Sequence, residues 1–496
     1  LRKIYLPDDA PLWLDGTDRS DRNAREALAL FRRAGDDGLD PADYLQGDIE
    51  SLPTLDAQSQ LEARELARFD VALSAATLRY YRHLHLGRVD PRTVGFRLKV
   101  RIDEHDFAAQ LRSALASQQI AETAAKLRPQ LAQYRLLRGM LTHYRSLAAN
   151  ERLEPLPPQT VVRPGEPYAG ISILVRQLSA LGDLPTETSE PLMRYEGPIV
   201  EGVRRFQARH GLEPDGVIGK STLAALGTPL AWRVRQIELS LERLRWLPDL
   251  RDQRFVAINV PMFRLWGWNS IPPSGAPSFT MGVIVGRALS TQTPVFVEQM
   301  REVIFRPYWN VPGSILRNEV LPAIERDPNY LQRQNMEIVR GQGDDADPVE
   351  ATAENLTRLR QGALRVRQRP GPRNALGLIK FVFPNEENVY MHGTPAQELF
   401  ARSRRDFSHG CVRVEDPVAL AQWALEGVPD WDRDRMLSAM AGSQSIHVTL
   451  ARPIQVILFY TTAAVMPEDG TIWFADDIYR HDARLDRALG RGRSDR

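Results

Sequence analysis

Arg254–Trp268 reads RFVAINVPMFRLWGW, and Phe279–Gly286 reads FTMGVIVG. Valine, isoleucine and aromatic residues crowd both runs, with turn residues between them, the composition of strands on a half-buried pleated surface. Upstream of Arg254 apolar residues recur at helical spacing instead. The change of period divides the chain into a helical front part and a β-rich back part. PVFVEQMREVIFRPYW (294–309) continues the β pattern, and strand signals return at Leu378–Phe383 and Asn388–His392. His447–Leu450 and Gln455–Tyr460 are expected to complete the sheet. Residues 310–372 are polar and partly helical, with GQGDDADP as a loop tip. Such a stretch is too long for a simple connection and reads as an insertion of the kind that serves as a lid or binding loop.

In the front part Leu66, Phe69, Leu73, Ala76, Tyr80 and Leu84 share one helical face, with stop signals at Gly87 and Pro91. Leu131, Tyr134, Leu137, Leu141, Tyr144 and Leu147 make a second stripe. His83, His85, His105 and His143 are read as packing or surface residues, because no carboxylate or thiol cluster accompanies them at ligand spacing. Prolines between 155 and 167 mark a linker. Three short helices follow, the last capped by Ser221, and then one amphipathic connector helix over Pro229–Pro248. The fold class is therefore multidomain α+β. It comprises a helical scaffold (1–155), a three-helix domain (166–228), a connector helix (229–252), a mostly β domain (253–465) and a C-terminal tail (466–496) expected to fray after Asp482.

A chain of 496 residues exceeds the span of one core. Its net charge of +1 gives no electrostatic case for nucleic acid or a membrane surface. No stretch approaches a membrane-spanning length. The first residue is Leu1 rather than methionine, read as a trimmed front end, so the lack of a secretory signal does not argue for the cytoplasm.

Cys411 is the only cysteine, either an inert core residue or a reactive thiol. Its surroundings, VYMHGTPAQELFARSRRDFSHGCVRVEDP (389–417), favour the second. His392 ends a strand nineteen residues upstream, and Ser408-His409-Gly410 leads into Cys411. A thiol near its ordinary pKa is mostly protonated at neutral pH, so an imidazole must take its proton. His392 is the candidate base, with a backbone carbonyl near Gly393 to orient it. His409 is the alternative base or a wall of the pocket. The N–H groups of Gly410, Cys411 or Val412 are candidate oxyanion donors. A zinc site on His392, His409 and Cys411 is the rival chemistry. Arg413 suits a substrate carboxylate or a salt bridge to Glu415 or Asp416. Arg365, Arg367 and Arg369 suit a basic rim or a solvated face, and Trp309 a core or platform role.

The 389–417 stretch resembles the active-site signature of the L,D-transpeptidase catalytic domain, the YkuD family: a histidine, a spacer, then Ser-His-Gly-Cys. LERLRWLP, VIVGRALSTQTPVF, FRPYWNVPGSI, RQRPGPRNALGLIKF and FPNEENVYMHGTP resemble the larger multidomain members of the YcbB type, whose catalytic domain carries a capping insertion. GVRRFQARHGLEPDGVIGKSTLAAL (202–226) resembles the small peptidoglycan-binding domain found beside wall enzymes. The resemblance implies that Cys411 attacks a tetrapeptide stem, with His392 as base, releasing D-Ala through a thioester and forming a 3→3 crosslink. Tyr390, Gly393, Ser408, His409, Gly410 and Arg413 would line the site or its oxyanion hole. Many larger members carry aspartate where Gly393 stands. No metal or cofactor is expected. The implied partners are peptidoglycan stem peptides, with carbapenem-type β-lactams as covalent inhibitors, and the implied location is the periplasm. An L,D-carboxypeptidase or endopeptidase on the same site, or a non-catalytic wall-binding scaffold, are the alternatives.

Overall fold

The computed structural model describes residues 1–5, 11–13, 17–50, 62–98, 105–150, 153–157, 161–184, 194–251 and 253–494. The chain forms two compact units, one of residues 1–252, 270–276 and 460–496, the other of residues 253–269 and 277–459. Helices dominate the first and β-structure the second, a multidomain α+β architecture.

The helical unit contains the expected scaffold stripe as helix Ala63–Leu86, closed at Gly87. Phe31, Tyr44 and Tyr80 pack together in its core with ring centroids 5.1 to 5.7 Å apart, Tyr80 edge-on to the other two. The three-helix domain has its own core around Leu174, Val203, Phe206 and Ile218. The supposed linker partly belongs to it, because Val162 is buried and bridges to Ile218. Its last helix, Lys220–Leu226, starts from Gly219 with no side-chain cap, so Ser221 does not cap it. Residues 158–160 lie outside the described residues.

Two expectations are corrected in this unit. The helix Leu230–Leu244 is no amphipathic connector: even Glu242 and Arg243 are buried, and it packs on Ala132–Asn150 and His481–Ser494. The C-terminal segment is no frayed tail: it forms helix His481–Ser494 with Leu485 and Leu489 buried. Asp482, fully buried, pairs with Arg243 and accepts a hydrogen bond from Thr462. A basic, polar sequence hides that docking because two apolar side chains and one buried ion pair accomplish it.

In the β unit the strands are β1 (Phe255–Asn259), β2 (Arg264–Trp268), β3 (Phe279–Gly286), β4 (Phe296–Phe305), β5 (Trp309–Asn310), β6 (Met336–Arg340), β7 (Asp347–Val349), β8 (Arg365–Gln368), β9 (Ile379–Val382), β10 (Met391–His392), β11 (Asp406–Ser408), β12 (Val412–Val414) and β13 (Ile446–Phe459). Nine of them form one sheet in the order β11-β3-β12-β10-β9-β4-β13-β1-β2, and β2 also pairs with β3, closing the sheet on itself. The expected strands at His447–Leu450 and Gln455–Tyr460 are one strand, β13, with a register shift between Thr449 and Ile454. It ends at Phe459, and residues from Tyr460 belong to the helical unit rather than to a β domain reaching 465. The Asn388–His392 signal shrinks to the two residues of β10. The insertion is a separate layer, a four-stranded sheet β5-β8-β6-β7 packed on short helices through Ile315, Val320, Ile338, Leu359 and Val366.

Candidate active site

β10 and β12 run parallel, with Met391 opposite Val412 and His392 opposite Arg413. The Val412 N–H donates to Tyr390 O over 3.1 Å, which sets Tyr390 beside Cys411. Alternate residues share a face, so Tyr390, His392, Cys411 and Arg413 project from the same face of the sheet. His392 also faces Lys380 of β9 across the antiparallel pair. Met391, Val412 and Val414 point the other way into the core, all fully buried.

Cys411 is a half-buried free thiol. Its Sγ lies 3.9 Å from Asn388 O, a carbonyl turned inward by the left-handed backbone of Asn388 at φ 54°. The Tyr390 hydroxyl and backbone N–H also contact the sulfur. Burial pushes the thiol up, while these donors, Lys380 and Arg413 favour its ionised form. Tyr390 is raised far above its ordinary range, first by burial and then by the neighbouring sulfur, and its hydroxyl is bonded to Trp309 as well. Trp309 thus serves as both core and pocket wall, half-buried against the insertion's core and reaching the phenol.

His392 is buried at 5% exposure, its Nδ1 2.5 Å from Gly393 O. Read as an Nδ1–H donor to that carbonyl, with Leu376 a second backbone partner of the ring, the imidazole carries its lone pair on Nε2. Burial first, and Arg413 next, drive the imidazole down to about 3, so it is neutral at physiological pH. The resting site therefore holds a thiol and a neutral imidazole rather than an ion pair, because burial first, and Arg413 and Lys380 after it, disfavour the charged ring.

His409 points elsewhere: its Nε2 sits 2.7 Å from Glu319 Oε1 of the insertion. Among the three backbone donors, Val412 N–H is spent on Tyr390 and Gly410 N–H meets Ser408 Oγ at 3.2 Å, leaving Cys411 N–H as the oxyanion candidate. The Ser408 hydroxyl donates to Cys411 O over 2.6 Å and Thr293 to Gly410 O over 2.8 Å, fixing the turn on both sides of the sulfur. Gly410 has φ 111°, a conformation open only to glycine.

Arg413 makes neither expected salt bridge. Glu415 accepts from Gly282 N–H at 2.7 Å and Asp416 caps the next helix. Arg413 Nε is buried without a hydrogen-bond partner, and the guanidinium is held down by burial and by nearby Arg287. The basic rim is not formed by all three insertion arginines. Arg367 is buried on Glu337 at 2.7 Å, while Arg369, paired with the same carboxylate, and Arg365 are exposed. Lys380 and Arg287 escaped the sequence reading, since neither adjoins the motif. The available signal was a lysine inside an apolar strand.

Residues 253–430 match the family described as L,D-transpeptidase catalytic domain, residues 168–226 that described as "Putative peptidoglycan binding domain", and residues 1–141 a scaffold domain. A curated Haemophilus influenzae protein described as "Putative L,D-transpeptidase" is 32% identical over 254 residues, 51% of this chain and 49% of its own length. The chain thus spans about half the length of that relative. Two crystal structures superpose too poorly to bear on the fold. One is an L,D-transpeptidase from Xylanimonas cellulosilytica (16% identity, 62% of this chain and all of that one, TM-score 0.19). The other is a fused Zn-dependent amidase/peptidase/peptidoglycan-binding protein from Clostridium acetobutylicum (12% identity, 61% and all, TM-score 0.16). The family matches, set on a sheet that brings His392 and Cys411 to one face, identify in this chain a YkuD-type L,D-transpeptidase catalytic domain together with a peptidoglycan-binding domain.

Proposed function

We propose that this chain is a periplasmic cysteine acyltransferase that joins peptidoglycan stems by 3→3 crosslinks. The observation that carries the reading is the common face of β10 and β12, where Cys411, Tyr390 and His392 lie together beside an arginine with an unpaired Nε. As Cys411 Sγ attacks the carbonyl before the terminal D-Ala of a tetrapeptide stem, its proton passes to His392 Nε2. The Cys411 N–H donates to the oxyanion. Collapse breaks the amide bond, the departing amine of D-Ala takes the proton from His392, and a thioester remains. The side-chain amine of a second stem attacks it, giving its proton to His392, and the thiol is restored. Arg413 would bind a stem carboxylate, which its unpaired Nε and its burial favour.

Intact-mass measurement after carbapenem exposure tests the reading. The wild-type protein should gain one inhibitor mass and Cys411→Ala none. Crosslinking of tetrapeptide stems by Cys411→Ala at the wild-type rate would refute it. Water in place of the acceptor amine would make the same site an L,D-carboxypeptidase, so product analysis with and without an acceptor stem separates transfer from hydrolysis.

A further inference from the structure

Only five lysines occur in this chain among 64 basic residues, and Lys380 is the only one after residue 253. It stands in β9 between Ile379 and Phe381, whose side chains are fully buried on the opposite face. Across the sheet it lies in one row with Arg413 and His392 on one side and Ile304 on the other. Its Nζ sits 4.1 Å from the centroid of the Tyr390 ring, the same ring whose hydroxyl meets Cys411 Sγ. A cation over an aromatic face is attracted to it, more so when both are out of water.

The geometry points to Lys380 as a positioning residue of the site, a half-buried ammonium that holds Tyr390 against Cys411 and supplies positive charge to the thiolate formed during attack. This rests on the proposed role of Cys411. The charged and titratable groups facing the sulfur and the ammonium are Tyr390 just before β10, His392 of β10, Arg413 of β12, Glu302 of β4, Asp344 of the insertion and Arg287 after β3. Glu302 and Asp344 both pull on Lys380, but each also holds a nitrogen of His447 at 2.9 Å. A protonated His447 offsets part of their charge and leaves more of the ammonium's field for the sulfur. Burial lowers Lys380 from its ordinary range, as befits an ammonium that retains few water partners.

Because Cys411 is the only thiol, the pH dependence of its alkylation by iodoacetamide reports its ionisation without any substrate. Lys380→Met should shift the midpoint upward by about one pH unit, a roughly tenfold loss of thiolate at a fixed pH below it. Lys380→Arg, which keeps the charge, should stay near wild type. Tyr390→Phe should shift the midpoint the same way, and the double variant should fall short of the sum of the two, since the lysine acts partly through the phenol. A wild-type midpoint in folded Lys380→Met overturns the inference. Should that variant not fold, Lys380→Gln carries the same test. If Cys411→Ala kept its crosslinking activity the functional reading would fall, yet the alkylation midpoints would still decide the role of Lys380.

Discussion

At the scale of single residues the site depends on backbone as much as on side chains. Gly410 precedes the sulfur at φ 111°, where an added Cβ would meet no atom closer than 3.8 Å. Space is therefore available and conformation is not. Gly410→Ala should introduce strain of about 1–3 kcal/mol, relieved by rotating the turn that aims Cys411 and its N–H. Carbapenem acylation should slow by about tenfold or more, an energy of roughly 1.4 kcal/mol on the barrier, while the melting temperature changes little. Wild-type acylation kinetics in this variant would show that the turn's geometry is not needed. The motif residues were legible in the sequence because chemistry demands a thiol, an imidazole and glycine near one another. The neutral resting state of His392 was not, because it is imposed by burial and by cations from other strands, Arg413 beside the sulfur and Lys380 from β9.

At the scale of elements two carboxylates of the insertion join Trp309 in tying it to the catalytic sheet. Glu319 lies in a short π-helical turn, Leu316–Val320, and reaches His409. Asp344, at the tip between β6 and β7, shares His447 of β13 with Glu302 of β4. Its carbonyl also accepts from Arg367 at 2.7 Å, so the tip is braced from within the insertion. The two carboxylates raise His447 above its ordinary 6.5 despite partial burial. A histidine raised in the folded state gives its full stabilisation below pH 6.5 and loses it as pH climbs through the folded value. The imidazole is 45% exposed, so solvent screens the contribution to about 1 kcal/mol or less. Backbone hydrogen exchange in residues 341–347 should accelerate as the pH rises above 6.5, beyond the intrinsic chemical rate. His447→Gln should remove that dependence, and an identical profile in both proteins would dissolve the latch. The insertion was legible as a length of polar sequence between strand signals, and GQGDDADP as its tip. Its docking was not, because His447 and Glu302 sit in strands that read as ordinary half-buried sheet, and only the register across β4 and β13 brings them under Asp344.

At the scale of the whole molecule, buried histidines set the response to acid. His83 and His481 of the helical unit and His392 of the β unit are each driven down to about 3, by burial first and then by neighbouring arginines. His210, stacked on Phe206 at 3.9 Å, is also lowered well below its ordinary range, by burial first and then by Arg209 and Arg233. The unfolded chain takes up these protons near pH 6.5, and the folded chain does not until about pH 3. Stability is therefore complete above pH 6.5 and is lost as the pH falls toward 3. Each group contributes about 1.4 kcal/mol per pH unit within that window. Carboxylates titrate mostly below pH 5, so the histidines dominate the interval from 6.5 to 5, apart from Asp183 and Asp482, which burial raises. His447 runs the other way and is too exposed to offset three buried rings in the other unit. Denaturant unfolding at pH 7, 6 and 5 should show the helical transition moving to lower denaturant by several kcal/mol in total, and the β transition by less. His83→Gln, which keeps a polar partner for the Tyr44 hydroxyl now 2.9 Å from Nδ1, should remove about a third of the helical unit's slope. A helical transition that stays fixed across that interval would mean that these rings are protonated in the folded protein, and with that the electrostatic picture of a neutral His392 would lose its support.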